Sequence, residues 1–246
     1  MKAPAHPFTD PAMVGGPLYA SADRLARRTS ALHRARVSGL HAGQVIADLA
    51  ADALTTIKPV PDRRGAVVAD LGCGRGTTTA MLTERLPAAK VVAFDLSAAM
   101  VGAARDRQPS PAAARFVRGD FCRLPFTDGG CDVVVAAFCL YHCPGPESAI
   151  GEIARCLRPG GTAILATKSK DSYRELDYLV AVARLDPGAL SRPSLYDAAH
   201  SGNLAELASA HLSVQQVIHH THRFTFASLA DAADYLATSQ CRCLTY

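Results

Sequence analysis

Five short apolar runs alternate with helical or turn segments along the middle of the chain, at residues 66–71, 90–94, 114–117, 131–137 and 161–166. Strands that read as continuous apolar runs are buried on both faces, and strands interleaved with helices form parallel sheets. The helix expected over 147–157 ends at "RPGG", where Gly160 and Gly161 favour a left-handed turn. The sequence therefore predicts an α/β fold with a doubly wound, mostly parallel sheet.

The remaining segments of the chain flank this alternating region. The 246 residues are enough for one α/β domain with an appendage. Residues 1–60 predict an N-terminal helical segment, with a poorly ordered lead-in over 1–18 and helices over 21–37 and 43–57. Residues 61–170 hold the five predicted strands. Residues 171–246 predict further helices around one edge-strand candidate, "VQQVIHHTHRFTF".

Composition excludes several classes of protein. Hydrophobic residues make up 49% of the chain and charged residues 20%, and no apolar run has the roughly 18 residues of a membrane helix. The N-terminus lacks the apolar core of a secretory signal, so we expect a cytoplasmic protein with its eight cysteines reduced. Cys241 and Cys243 form a C-x-C pair with no second couple, so no metal site is predicted. A formal charge of +4 does not require a nucleic-acid partner.

The segment "VVADLGCGRGTTT", residues 67–79, places three glycines directly after an apolar run that ends in Asp70. Gly72, Gly74 and Gly76 allow a sharp turn and let a ligand lie against the main chain. A dinucleotide fingerprint has its third glycine five positions after the first, whereas here the interval is four. Asp70 would repel a pyrophosphate and attract an ammonium group. Both features argue against a nicotinamide oxidoreductase.

"VADLGCGRGTTT" resembles the first motif of the class I S-adenosylmethionine (SAM) dependent methyltransferases, and the likeness extends over about residues 64–167. "VVAFD" ends in the position that bonds the ribose hydroxyls, "FVRGDFCRLPF" resembles the third motif, and "CDVVVAAFCLYHCP" resembles the fourth. The resemblance implies a Rossmann-like fold that binds SAM and needs no metal. The cofactor-binding residues that it implies in these motifs are Asp70, Gly72, Gly74, Gly76, Asp95, Leu96, Asp120, Phe121 and Phe138. Asp95 as a helix cap and Asp120 as a turn former are the structural alternatives.

The resemblance also implies catalytic and lid residues. His142 follows the fourth strand and has the unperturbed pKa of a general base near neutrality, and Tyr141 beside it is suited to orienting the acceptor. In the family this histidine also occurs as a residue that only lines the cofactor pocket, so both roles stay open. The N-terminal helices would form a lid, from which Tyr19 and Arg28 reach the methionine moiety of SAM.

These features favour methyl transfer to a small organic acceptor at O, N or C. The fourth motif lacks the Asn/Asp-Pro-Pro-aromatic element of enzymes that methylate nucleic-acid bases, and Arg24, Arg27 and Arg34 are interpreted as a solvated helix face. Lys168, Lys170 and Tyr173 are candidate acceptor contacts at the rim. A SAM-binding regulatory protein is the main alternative.

The end of the sheet is less clear. No obvious strand follows the edge-strand candidate, although the family has an antiparallel seventh strand. The sheet is therefore short, the chain is a shortened form, or a partner chain completes the sheet. An unpaired edge would favour a homo-oligomer.

Overall fold

The computed structural model describes residues 8–56, 65–110 and 112–238. The break expected at "KPVPDRRG" and the Cys241–Cys243 pair lie wholly or largely outside these residues. The helices are α1 (Pro11–Val14), α2 (Ala22–Ala35), α3 (Ala42–Thr56), α4 (Thr77–Arg85), α5 (Ala98–Asp106), α6 (Pro146–Cys156), α7 (Arg174–Val182), α8 (Leu204–Ser209) and α9 (Leu229–Ala237). The strands are β1 (Arg36–Ser38), β2 (Val67–Leu71), β3 (Lys90–Asp95), β4 (Ala114–Arg118), β5 (Cys131–Ala137), β6 (Leu157–Ala166) and β7 (Arg223–Phe224).

The main sheet confirms the predicted α/β fold. Its five strands run in the order β4-β3-β2-β5-β6, and every neighbouring pair is parallel. The strand order reverses at β2, which pairs with β3 on one side and β5 on the other. In such a sheet the ligand crevice lies beyond the carboxyl ends of the strands at this reversal. We call this space the carboxyl-end crevice.

Helices cover both faces of the sheet, as the continuous apolar strands require. Along β5, Val133 and Val135 pack with α3 and α4, whereas Val134 and Ala136 pack with α6 on the opposite face. All four side chains are fully buried. Burying one valine side chain contributes about 1.5–3 kcal/mol, so this strand is a major source of stability.

The strand β6 starts earlier than the sequence predicts. The pairing of β6 with β5 shifts in register: Leu157 is opposite Cys131, whereas Thr162 is opposite Val133. The residues between Leu157 and Thr162 therefore bulge from the strand. Gly160 has a φ of +78°, whereas Gly161 is not in the left-handed region. The predicted turn is therefore an irregularity within β6 that involves one left-handed glycine.

The N-terminal segment is more ordered than the sequence predicts. The lead-in expected to be poorly ordered contains α1 and a 3-10 helix at Pro17–Tyr19, and Phe8 and Leu18 are 2% and 3% exposed. These two apolar side chains join the core on the side of α6, so the expectation of disorder is wrong for residues 8–18. The helix α2 then begins after Ser21, whose hydroxyl caps the Asp23 amide.

The edge-strand candidate adds nothing to the main sheet. Only Arg223 and Phe224 of it form a strand, which pairs antiparallel with β1. Val214, Val217 and Ile218 are 41–53% exposed, so the candidate has no buried face to hold it as a longer strand. Within the described ranges, the main sheet accordingly has five strands, and no helix there is long and apolar enough to cross a membrane.

Candidate active site

The glycine loop joins β2 to α4 and borders the carboxyl-end crevice. Gly72, Gly74 and Gly76 all have positive φ, between +53° and +74°. A Cβ on Gly72 would overlap the side chain of Cys139, and one on Gly76 would come within 2.8 Å of the Ala104 backbone. A Cβ on Gly74 would meet only Leu25 of α2, at 3.8 Å. Gly72 and Gly76 therefore permit close packing, and Gly74 leaves space between the loop and α2.

Asp70 lies beneath this loop with its carboxylate 1% exposed. It accepts a hydrogen bond of 2.6 Å from the Thr79 hydroxyl on α4. Burial raises the pKa of Asp70 to about 7, the Thr79 hydrogen bond opposes this shift, and the charge of Asp95 adds to it. A bound cation in the crevice would favour the ionised form of Asp70.

Asp95, at the end of β3, holds the glycine loop in place. Its Oδ2 accepts from the Gly74 amide at 2.9 Å, and its Oδ1 accepts from the Ser97 amide at 2.9 Å. Burial raises the pKa of Asp95, and these two backbone hydrogen bonds oppose the shift. Ser97, rather than Asp95, caps α5. Each carboxylate oxygen keeps a second lone pair for a diol.

The predicted adenine-side residues lie at the ends of β3 and β4. Asp120 is exposed, and its Oδ1 accepts from the Cys122 amide at 2.8 Å, which is the turn-forming role that the sequence left open. Phe121 is partly buried against the main core. Leu96 faces Gly15 of the N-terminal segment. Their contacts with adenine stay a prediction.

His142 connects the crevice to the N-terminal segment. Its Nδ1 lies 2.8 Å from the Phe8 carbonyl oxygen, and its Nε2 lies 2.7 Å from the Tyr19 hydroxyl. Because a carbonyl can only accept, Nδ1 carries the proton and Nε2 accepts from Tyr19. Burial lowers the pKa of His142 to about 4, the Phe8 hydrogen bond opposes this shift, and the charge of Arg28 lowers it further. The ring is therefore neutral at pH 7 and engaged at both nitrogens, and its role as a base stays a prediction.

Five of the seven tyrosines of the chain lie around Arg28, and we call them the tyrosine cluster: Tyr19, Tyr141, Tyr173, Tyr196 and Tyr235. The rings of Tyr141 and Tyr196 meet edge to face with centroids 4.9 Å apart. Tyr196 and Tyr235 are 4% and 2% exposed. Sequence reasoning missed both, because Tyr196 lies in an irregular segment and Tyr235 in a helix far along the chain, and neither belongs to a motif.

Two cationic side chains reach the tyrosine cluster. The Arg28 guanidinium on α2 lies 5.7 Å from the Tyr235 ring centroid. Lys168, just after β6, donates to the Tyr173 hydroxyl at 2.7 Å and lies 5.8 Å from the ring centroid of Phe138. Phe138 has a φ of +57°, a conformation that is rare for a bulky residue and is often found at functional sites.

The structure does not bring together all the predicted rim residues. Lys168 and Tyr173 lie in the crevice, whereas Lys170 is exposed and forms an ion pair of 2.9 Å with Asp197. Arg27 and Arg34 are exposed, as expected for a solvated helix face, and Arg24 donates to the Leu18 carbonyl.

The residues around the glycine loop fit SAM. Among the described residues, no lysine or arginine forms an ion pair with Asp70 or Asp95, so two carboxylates lie unpaired by cations beside the space at Gly74. SAM has a net positive charge and a vicinal diol, which complement these groups. Among all the residues that the structure describes, no group of three or more His, Cys, Asp or Glu side chains is arranged to hold a metal ion.

Comparison with known proteins agrees with this class of fold and site. Residues 69–165 match the family model described as "Methyltransferase domain". The matched segment contains Asp70, the glycine loop and Asp95, so residues 69–165 form a methyltransferase domain, in agreement with the resemblance to class I SAM-dependent methyltransferases.

Three curated relatives are similar to this chain over part of their length. It is 36% identical to the malonyl-[acyl-carrier protein] O-methyltransferase of Enterobacter lignolyticus over 67% of this chain and 63% of that protein. It is 39% identical to the trans-aconitate 2-methyltransferase of Variovorax paradoxus over 47% of this chain and 43% of that protein. It is 32% identical to the demethylmenaquinone methyltransferase of Beutenbergia cavernae over 58% and 60%. The matches thus span less than two thirds of each relative.

Proposed function

We propose that this protein transfers the methyl group of SAM to a small organic acceptor at O, N or C. The observation that carries the proposal is the pair of carboxylates, Asp70 and Asp95, that lie beside the left-handed glycine loop without a cationic partner among the described residues. The three curated relatives carry names of small-molecule or acyl-carrier methyltransferases, which supports an acceptor of that kind.

When bound, SAM supplies an electrophilic methyl group on a sulfonium centre. The chain's own contribution is to bind, align and exclude water. Asp95 binds the ribose of SAM and holds the Gly74 amide. Asp70, beneath the glycine loop, stabilises the positive charge of SAM. Arg28 pairs with the carboxylate of the methionine moiety. Tyr19 and His142 close the N-terminal segment over the site through their 2.7 Å hydrogen bond.

The proposal includes the setting in which the reaction occurs. We propose a cytoplasmic protein that works without a metal or a nucleic-acid partner and associates as a homo-oligomer. The outer edge of β6 has no strand partner among the described residues, which supports self-association.

The decisive experiment follows radioactive label from methyl-tritiated SAM into pools of small acids, amines, phenols and quinols. We expect label in at least one acceptor, with release of S-adenosylhomocysteine (SAH), and we expect Asp95→Ala to abolish this transfer. A protein that binds SAH tightly but labels none of the acceptors would instead support the alternative of a SAM-binding regulatory protein.

A further inference from the structure

Lys168 lies on the acceptor side of the crevice. It follows β6, which lies on one side of β2 in the sheet. Asp95 and Asp120 follow β3 and β4, which lie on the other side of β2. The Lys168 ammonium group is within 5.9 Å of the ring centroids of Phe138, Tyr173 and Tyr196. It therefore stands beside the loop after β5, which holds Tyr141 and His142, and apart from the residues expected to bind ribose and adenine.

The charge of Lys168 is uncompensated in this structure. No carboxylate of the described residues forms an ion pair with it, and its ammonium group hydrogen-bonds to two tyrosine side chains, Tyr173 at 2.7 Å and Tyr196. Lys170, two residues later, is already paired with Asp197. Burial lowers the pKa of Lys168, Tyr196 opposes this shift through its charge and its hydrogen bond, and the charge of Arg28 adds to it. A desolvated cation without a counter-ion is unfavourable, so an anion entering the crevice would be stabilised there.

Lys168 and Arg28 provide two cations for two anionic groups. SAM has one carboxylate. Arg28 lies on α2, three residues beyond Leu25, which faces Gly74, and from this position Arg28 can pair with that carboxylate. Lys168 is then left for a second anion. The surrounding tyrosine hydroxyls add hydrogen-bond donors of the kind that carboxylate oxygens accept.

We propose that the acceptor is a carboxylic acid whose carboxylate is bound by Lys168 with the hydroxyls of Tyr173 and Tyr196. This inference rests on the proposed methyl transfer and specifies its substrate class. A carboxylate paired with an ammonium group is a weaker nucleophile than a free one. Lys168 therefore anchors the acid, and a second nucleophilic group of the same acceptor would form the bond to the methyl carbon as the S–CH3 bond breaks, with SAH as the leaving group and the proton of the nucleophile lost to solvent.

The test is a calorimetric titration of the SAH-loaded full chain with mono- and dicarboxylic acids of three to eight carbons and with their amides. We expect at least one acid to bind saturably and its amide to bind at least about tenfold more weakly. Lys168→Met should weaken binding of that acid by about tenfold or more, and Lys168→Arg should keep it within about threefold of wild type. Lys90→Met, an exposed lysine at the start of β3, is the matched control and should bind as wild type does.

The two proposals fail in different ways. SAH binding is measured first, and its absence in the wild type would remove the proposed function. If SAH binds but acids and amides are bound equally or not at all, the carboxylate proposal alone is overturned. Equal acid affinity in wild type and Lys168→Met would also overturn it. If Lys168→Met is unstable, its loss of acid binding could come from loss of folding. Lys168→Arg then separates the two causes, because it keeps the charge and should still bind the acid.

Discussion

At the level of single residues, His142 differs most from what its position in the sequence indicates. A histidine after the fourth strand of this sheet is expected to titrate near pH 6.5. In the structure, burial lowers its pKa to about 4, and both ring nitrogens are bonded to the N-terminal segment. In the structure its ring therefore links Phe8 and Tyr19 to the loop after β5.

His142→Gln is expected to remove a pH-dependent part of the stability. Because the folded pKa is below the unfolded one, the unfolded chain binds more protons, and the contribution of the neutral ring is complete above pH 6.5 and lost as pH falls toward 4. Between pH 7.5 and pH 5 the wild type should lose about 2 kcal/mol more of its free energy of unfolding than the variant, measured by urea denaturation. Asp70 changes in the opposite direction in both proteins, so the comparison cancels it. A wild-type-minus-variant difference that is constant with pH would contradict a buried neutral His142.

Arg28→Gln is expected to raise the Kd of SAH by about tenfold, because the variant loses a charge-assisted pair with the cofactor carboxylate. Arg27→Gln, at an exposed position one residue earlier, is the control and should bind SAH as the wild type does. Calorimetry measures both affinities. An unchanged SAH affinity in Arg28→Gln would show that the guanidinium has another role.

At the level of elements, the packing of the glycine loop against the loop after β5 shapes the crevice. Gly72→Ala would place a methyl group against Cys139 in a left-handed conformation. The free energy of unfolding should fall by about 2–4 kcal/mol, measured by chemical denaturation. Gly102→Ala, in α5 with nothing within 4 Å of the added methyl, should raise it by up to about 1 kcal/mol. Similar stability of the two variants would mean that the two loops do not pack as described.

The elements predicted correctly are those whose sequence shows a clear local pattern of apolar and turn residues. β5 matches its predicted bounds because a continuous apolar run between turn residues has few alternatives. The strand predicted over 214–226 fails for the opposite reason, since its apolar residues find no partner surface and stay exposed. The order of residues 8–18 depends on contacts of Phe8 and Leu18 with distant parts of the chain, which local pattern does not indicate.

The residues of the candidate site also differ in whether the sequence alone could predict them. Asp70, Asp95 and the three glycines could be found because each lies at a fixed distance from a strand end. Tyr196 and Tyr235 could not, because only the folding of the C-terminal segments over the crevice brings them beside Arg28 and Lys168. The side that is expected to bind cofactor is therefore readable from sequence, and the acceptor side depends on tertiary structure.

At the level of the whole molecule, the N-terminal segment covers the crevice through contacts with His142, Ser97 and Gly74. A cavity of only ≈ 10 Å³ remains between α2 and the end of α9, lined by Leu18, Tyr19, Arg24, Leu25, Arg28 and Thr238. Small-molecule sites usually enclose about 300–1,000 Å³. SAM can therefore enter this space only if residues 8–35 move away and return.

This closure predicts a change in hydrogen exchange. Amides of residues 8–35 should exchange more slowly by at least about fivefold when SAH is bound, because the ligand adds contacts to the closed form. Amides of β5, buried in the sheet, should exchange equally slowly with and without SAH and serve as the internal control. Mass spectrometry of the exchanged peptides measures both. Unchanged exchange over residues 8–35 would exclude this segment as a lid.

The central claim is that the glycine loop with Asp95 binds the cofactor of a methyltransferase. Calorimetric titration of the full chain with SAH, and of its Asp95→Ala variant, tests this most directly. We predict one SAH site per chain in the wild type, no heat from NAD, and a Kd at least about 30-fold higher in Asp95→Ala, because the variant loses both the ribose acceptor and the bond to the Gly74 amide. Asp106→Ala, at an exposed site in α5, should bind as wild type. Binding of NAD without SAH, or equal SAH affinity in Asp95→Ala and wild type, would contradict the claim.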